Sequence, residues 1–201
     1  MAQGQKMPSS DRLETPEGRA SYAFVFTPRT NDAGDPQYSL TLLIPKTSEQ
    51  AVRVLKDAAI AVGQQAFGPT FADQVRAGRL RWPFRDGDKE KPDDPVYAGH
   101  WFLNMRNSNK PQIVDRHLQE ILSPENFGSG DYCKVTGRFF AYDSKGNKGV
   151  SFSLGNIQKV RSGERLDNRV DARKEFSAYD GPDPGAGNVG SSGTATGYDD
   201  L

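Results

Sequence analysis

Apolar and polar residues alternate over two stretches near the start of the chain. Residues 19–27 place Tyr22, Phe24 and Phe26 on one side and stop at Pro28. Residues 37–44 place Tyr38, Leu40, Leu42 and Ile44 on one side and stop at Pro45. A period of two marks a half-buried strand, and the Asn, Asp, Gly and Pro cluster over 31–36 supplies the turn between them. The period then lengthens. Ala51, Leu55, Ala58, Ala59 and Val62 recur at helical spacing, with Thr47 and Gln50 as a capping box ahead of them. Gly68-Pro69 ends this helix. Thr70 caps a second, short one that pairs Phe71 with Val75 and stops at Gly78.

Residues 79–95 are charged and rich in proline and glycine, and read as a long exposed loop. Strand character returns over 97–106, briefly over 111–114, and then over 131–143. A turn at 144–147 leads into a returning strand over 149–160, the clearest hairpin in the chain. A short helix is expected over 168–176. Five or more antiparallel strands with a helical insertion after the second fit a small OB-like antiparallel β-barrel, a mainly β fold, better than a parallel α/β sheet.

The chain has 201 residues and zero net charge, but the charge is unevenly placed. All 26 basic residues precede Glu175, whereas four of the 26 acids, Asp180, Asp183, Asp199 and Asp200, follow it. The body is therefore +4 and the end −4. Residues 180–201 include six glycines and few apolar groups. The expected organisation is a flexible leader over 1–14, one domain over 15–176 and a disordered acidic C-terminal tail over 177–201. A single cysteine, Cys133, excludes an internal disulfide. No run is long and apolar enough to span a membrane and no secretory signal stands at the start, so the expected location is cytoplasmic.

Catalytic signatures are missing: neither a Walker A sequence nor a Gly-x-Ser-x-Gly elbow occurs. His100, His117 and Cys133 lack the close ligand pair of a zinc site. The acids Asp86, Asp88, Glu90, Asp93 and Asp94 are interrupted by Lys89 and Lys91, the pattern of a solvated charge run. The chain is therefore expected to be no enzyme and to need no metal or cofactor.

What stands out is aromatics interleaved with cations. Over 131–143, Cys133, Val135, Gly137, Phe139 and Ala141 suit a core, while Tyr132, Lys134, Thr136, Arg138, Phe140 and Tyr142 fall on the opposite side. Arg79, Arg81, Trp82, Phe84 and Arg85 form a second group. A third is His100, Phe102, Asn104 and Arg106, with Lys110, Lys145 and Lys148 in nearby turns. Exposed rings of this kind stack on unpaired bases while Arg and Lys neutralise phosphates, which points to single-stranded nucleic acid as partner. The ending Tyr198-Asp-Asp-Leu201 can compete with phosphates for the basic face, or dock on phage or host replication proteins. A homo-oligomer is compatible with this reading. Three alternatives stay open: a protein-interaction adaptor, a metal-dependent nuclease using the 86–94 acids, and an RNA binder of the same fold.

Two stretches carry a family resemblance. Residues 35–46, Asp-Pro-Gln-Tyr-Ser-Leu-Thr-Leu-Leu-Ile-Pro-Lys, and residues 146–160, Gly-Asn-Lys-Gly-Val-Ser-Phe-Ser-Leu-Gly-Asn-Ile-Gln-Lys-Val, resemble signature stretches of a family of phage single-stranded-DNA-binding proteins, first known as a domain of unknown function. The resemblance spans residues 15 to 170. It implies an OB-fold, sequence-independent binding of single strands, and a role in phage DNA replication or recombination. The plan is similar to that of the single-strand-binding proteins of short-tailed coliphages, which also end in an acidic tail, although this tail ends in leucine and not phenylalanine.

Overall fold

The computed structural model describes residues 7–31, 33–144 and 146–166, together with Ser177 and Gly181. The helix expected over 168–176, the tail with Tyr198, Asp199, Asp200 and Leu201, and Lys145 lie outside the described residues. In chain order the strands and helices begin with β1 (Leu13–Glu14), β2 (Gly18–Thr30) and β3 (Pro36–Pro45). The helical insertion follows as α1 (Glu49–Phe67) and α2 (Phe71–Arg76), then β4 (Phe84–Asp86) and α3 (Gly87–Glu90). The rest is strand: β5 (His100–Asn107), β6 (Ile113–Val114), β7 (Tyr132–Gly137), β8 (Phe139–Ser144), β9 (Asn147–Ser153) and β10 (Ile157–Arg161).

The main sheet runs in the order β6-β10-β7-β2-β3-β5-β9-β8. β7 and β8 are two halves of one strand, interrupted only at Arg138. The first half pairs with β2 and the second with β9, so this one bent strand closes the sheet into an OB-like barrel. The bend needs glycine at its corner. A Cβ on Gly137 would lie 2.1 Å from the Ser153 carbonyl oxygen and 2.4 Å from the Phe152 ring. Closure leaves few open edges and turns alternate side chains inward. Those inward residues are the expected ones: Leu40, Leu42, Ile44, Leu103, Met105, Cys133, Val135, Phe139 and Ala141 are all buried in one core.

Most pairings are antiparallel, as expected, but β5–β9 and β6–β10 are parallel. The single returning strand expected over 149–160 is broken at Leu154, Gly155 and Asn156, and its two parts serve different neighbours.

Several local expectations are corrected. The leader is not free over residues 8–14. Ala141 N–H donates to the Pro8 carbonyl at 2.9 Å, Ser10 N–H donates to the Phe139 carbonyl at 2.8 Å, and β1 pairs with β7. These polar residues are held by backbone hydrogen bonds, to which hydropathy is blind. In β2 the alternation fails. The register shifts between Ser21 and Phe24, so Ala20 and Val25 enter the core while Tyr22 turns out to solvent. At α1 the N-cap is Ser48 with no side-chain cap bond, so the Thr47 capping box does not form. The buried stripe is Val52, Leu55, Ala59, Val62 and Gly63, rotated so that Ala51 and Ala58 lie at its margin. Residues 79–95 are not a plain loop either. β4 adds to β5, and Leu80 and Phe84 are buried in the core.

Candidate nucleic-acid interface

Because the barrel core takes one face of each strand, the opposite faces of β2, β3 and β5 share an outer surface. Residues directly across a pair point to the same side, so the register defines its rows. One row crosses the sheet as Arg161–Tyr132–Arg19–Leu43–Phe102–Arg85, from β10 to β4. Arg161 lies 3.3 Å and Arg19 5.9 Å from the centroid of the Tyr132 ring, and Arg85 lies 4.7 Å from that of Phe102. This row is a closed structure. Arg161 Nε donates to Glu17 at 2.9 Å, Arg85 donates to Glu90, and Arg19 is tied to the carbonyls of Gly130 and Glu164.

Further along the same surface the charges open up. The next rows are Ser21–Thr41–Asn104, Phe24–Ser39–Arg106 and Arg29–Gln37. All of these except Ser21 and Phe24 line a groove of about 300 Å³ that also touches Tyr22. Among the described residues, neither Arg29 nor Arg106 has a carboxylate partner. Arg29 lies 3.6 Å from the Phe24 ring centroid, which holds the guanidinium without neutralising it. The Thr41 hydroxyl donates to Asn104 Oδ1 at 2.8 Å. Tyr22 is 57 % exposed with φ +46°, in the left-handed region. A bulky residue there is strained by about 1–2 kcal/mol, and strain of this kind gathers at ligand sites. An exposed ring, two unneutralised guanidiniums and a floor of small polar side chains make a surface on which a base can stack beside its phosphates.

The structure separates the sequence-derived candidates. Asn104 and Arg106 are at the groove. Phe102 is not: it is 2 % exposed, packed under Tyr97 beside Leu43. Phe84 is 4 % exposed and Trp82 is half-buried. Both belong to a run of rings, Phe67–Phe71–Trp82–Phe84–Phe139–Phe152, that passes into the core. Apolar area therefore decides their place, and the expected aromatic clamp does not form. Arg79 and Arg81 are exposed beside them, and the Arg81 backbone bonds to β9 through Lys148 and Val150. His100 stands at the start of β5 with Nδ1 2.6 Å from the Ala98 carbonyl oxygen, away from the groove. Lys134 is paired with Glu14 at 3.0 Å and Lys148 with Asp143 at 2.9 Å, so both are partly neutralised; Lys110 lies beyond β5 in an exposed turn.

Arg138, Phe140 and Tyr142 form a second outer patch. Phe140 and Tyr142 are half-buried, with ring centroids 6.4 Å apart. The patch adjoins the groove through β9: Arg106 is opposite Ser153, whose hydroxyl accepts the Arg138 N–H at 3.0 Å. Tyr22, Phe24, Arg29, Gln37, Ser39 and Thr41 were not among the interface candidates read from the sequence, where Tyr22 and Phe24 served only to mark a strand. For Ser39 and Thr41 a signal existed, since they are the polar positions alternating with Leu40 and Leu42.

Three of the 86–94 acids, Asp86, Asp88 and Glu90, are engaged with cations. Lys46 Nζ donates to Asp86 at 2.5 Å and to Asp88 at 2.7 Å. These bonds hold both carboxyls below the usual carboxylate range and raise the Lys46 ammonium above its own. Cys133 is fully buried in the core, and the loss of water pushes its thiol well above the ordinary range. No helix among the described residues is long and apolar enough to cross a membrane.

The family described as Enterobacter phage Enc34, ssDNA-binding protein, matches residues 12–184. A putative protein p50 of Acyrthosiphon pisum secondary endosymbiont phage 1 is 28 % identical over 152 residues, 73 % of this chain and 81 % of that protein. The solved structure of the single-stranded DNA-binding protein from bacteriophage Enc34 in complex with ssDNA is 26 % identical. It has a TM-score of 0.66 over 78 % of this chain and 89 % of that one. The single-stranded DNA-binding protein gp2.5 of bacteriophage T7 has a TM-score of 0.59 at 15 % identity, covering 81 % of this chain and 98 % of that one. At that identity the likeness is one of fold.

Proposed function

The chain belongs to the family of the Enterobacter phage Enc34 single-stranded-DNA-binding protein, and from that premise we propose that it coats single-stranded DNA in phage DNA replication or recombination, in the host cytoplasm. It acts by binding and carries out no chemistry of its own. The single observation that supports the position of the interface is the open groove between Arg29 and Arg106 with Tyr22 at its mouth. Phosphates meet the two guanidiniums, a base stacks on Tyr22, and Arg138, Phe140 and Tyr142 continue the path. Every base offers a π-face, so every sequence binds; duplex DNA hides those faces and binds more weakly.

The test is fluorescence anisotropy of labelled oligo(dT) at two salt concentrations, with duplex DNA as control. Binding of the single strand that weakens with salt, and exceeds duplex binding, is expected. Tryptophan emission is a poor reporter here, because Trp82 and Trp101 pack against the core. No single-strand binding at low salt would overturn the proposal in favour of a protein-interaction adaptor.

The acidic end, with Tyr198, Asp199, Asp200 and Leu201, is proposed to compete with phosphates for the same face and to recruit replication partners. Removing residues 180–201 is then expected to raise affinity for single strands at low salt. Unchanged affinity would remove the competitive role.

A further inference from the structure

We infer that the groove seats one base and that Asn104 gives it a modest preference for keto bases (thymine, uracil, guanine) over amino bases (cytosine, adenine). This rests on the single-strand reading above and adds to it which base the groove favours.

At about 300 Å³ the groove is at the small end of ligand pockets and large enough to seat a base. Its polar groups are unequal in kind. Arg29 and Arg106 are donors only. Asn104 carries both a donor and an acceptor, and one of the two lone pairs of its Oδ1 is already taken by the Thr41 hydroxyl at 2.8 Å. Thr41 is 8 % exposed in the sheet, so this bond is shielded and orients the amide. The Nδ2 amide group, with both hydrogens unpartnered among the described residues, is the larger part of Asn104 left for a ligand. Around Asn104 the groove therefore offers donors, Nδ2 and the two guanidiniums, in excess over acceptors such as the remaining Oδ1 lone pair, Ser39 and Gln37. Uracil and thymine present an acceptor at O4 and guanine at O6, whereas cytosine and adenine present an amine at the corresponding position. An amine facing Asn104 Nδ2 sets donor against donor and forgoes the bond that a keto oxygen makes there, a difference of about one hydrogen bond.

Uracil and cytosine are the informative pair. Both are small pyrimidines that stack weakly, so stacking and chain stiffness do not separate them. Labelled oligo(dU) and oligo(dC) of about 12 nucleotides, within the span one such barrel covers, are titrated against the full chain by anisotropy. The wild type is expected to favour oligo(dU) about fivefold, the worth of one hydrogen bond. Asn104→Ala is expected to bind both alike. Asn104→Asp, which replaces the amine by an acceptor, is expected to weaken both and to favour oligo(dC). Equal wild-type affinities, or a dU preference that survives in Asn104→Ala, would overturn the base preference alone. Failure of either oligonucleotide to bind would overturn the single-strand reading beneath it.

Discussion

Replacing Arg29 and Arg106 together with alanine tests the proposed interface by its salt dependence, which a loss of stability does not imitate. Neither guanidinium is held by a carboxylate among the described residues, so each is free to take the place of counterions on a phosphate. On single strands each phosphate neutralised contributes about 0.7 to the slope of log affinity against log salt. Losing two therefore flattens the slope by about 1.4. Between about 0.05 and about 0.2 M salt, a fourfold change, the wild type should lose roughly sevenfold more affinity than the double variant. The control is Arg85 and Arg161, which lie on the same surface but are bound to Glu90 and Glu17. Replacing those two should change the slope much less. The assay is anisotropy of labelled oligo(dT) over a salt series, with melting temperatures to confirm folding. A slope unchanged in Arg29→Ala/Arg106→Ala, or flattened as much by the control pair, would refute the placement of the phosphate path.

Three further outcomes are expected. Tyr22→Asn should keep or raise the melting temperature, because asparagine tolerates the left-handed backbone and little buried area is lost. It should also weaken oligo(dT) binding at least about fivefold through the lost stack; equal affinity would remove Tyr22 from the interface. Gly137→Ala should destabilise the barrel by about 1–3 kcal/mol, read by urea denaturation, since its Cβ must displace Ser153 or Phe152; wild-type stability would mean the corner relaxes freely. Asp86 has its carboxyl depressed by Lys46, so its contribution is present above the ordinary aspartate range near pH 3.9 and lost as pH falls through its lower folded value. The stability gap between wild type and Asp86→Asn should therefore be constant near neutrality and close under acid; a gap that does not change with pH would show that the ion pair is not its source.

Hydrophobic period carried the reading of β3, β5, β7 and β8 because their burial is local. Each has one face inside the barrel, and a two-residue alternation states this directly in Leu40, Leu42 and Ile44, and in Cys133, Val135, Phe139 and Ala141. The hairpin of β8 and β9 was legible for the same reason, with turn residues between two alternating runs. The family resemblance was carried by these well-patterned segments, 35–46 and 146–160.

What tertiary structure decided is which apolar or aromatic residues are left outside. An exposed ring and a buried ring have the same side chain, and alternation assigns them only while the register holds. One bulge in β2 was enough to exchange Tyr22 for Val25. Phe84 and Phe102 sit among arginines in sequence, but β4 adding to β5 and Tyr97 folding over Leu43 remove both rings from solvent. Whether a cation is available is likewise not local. Lys134 and Glu14 are 120 residues apart, and Arg161 and Glu17 are 144 apart. The mainly β class and most of the core were legible in the chain, because burial writes a short-range period. The groove depends on bulges, long-range ion pairs and the closing bend at Gly137, and these exist only once distant strands have met.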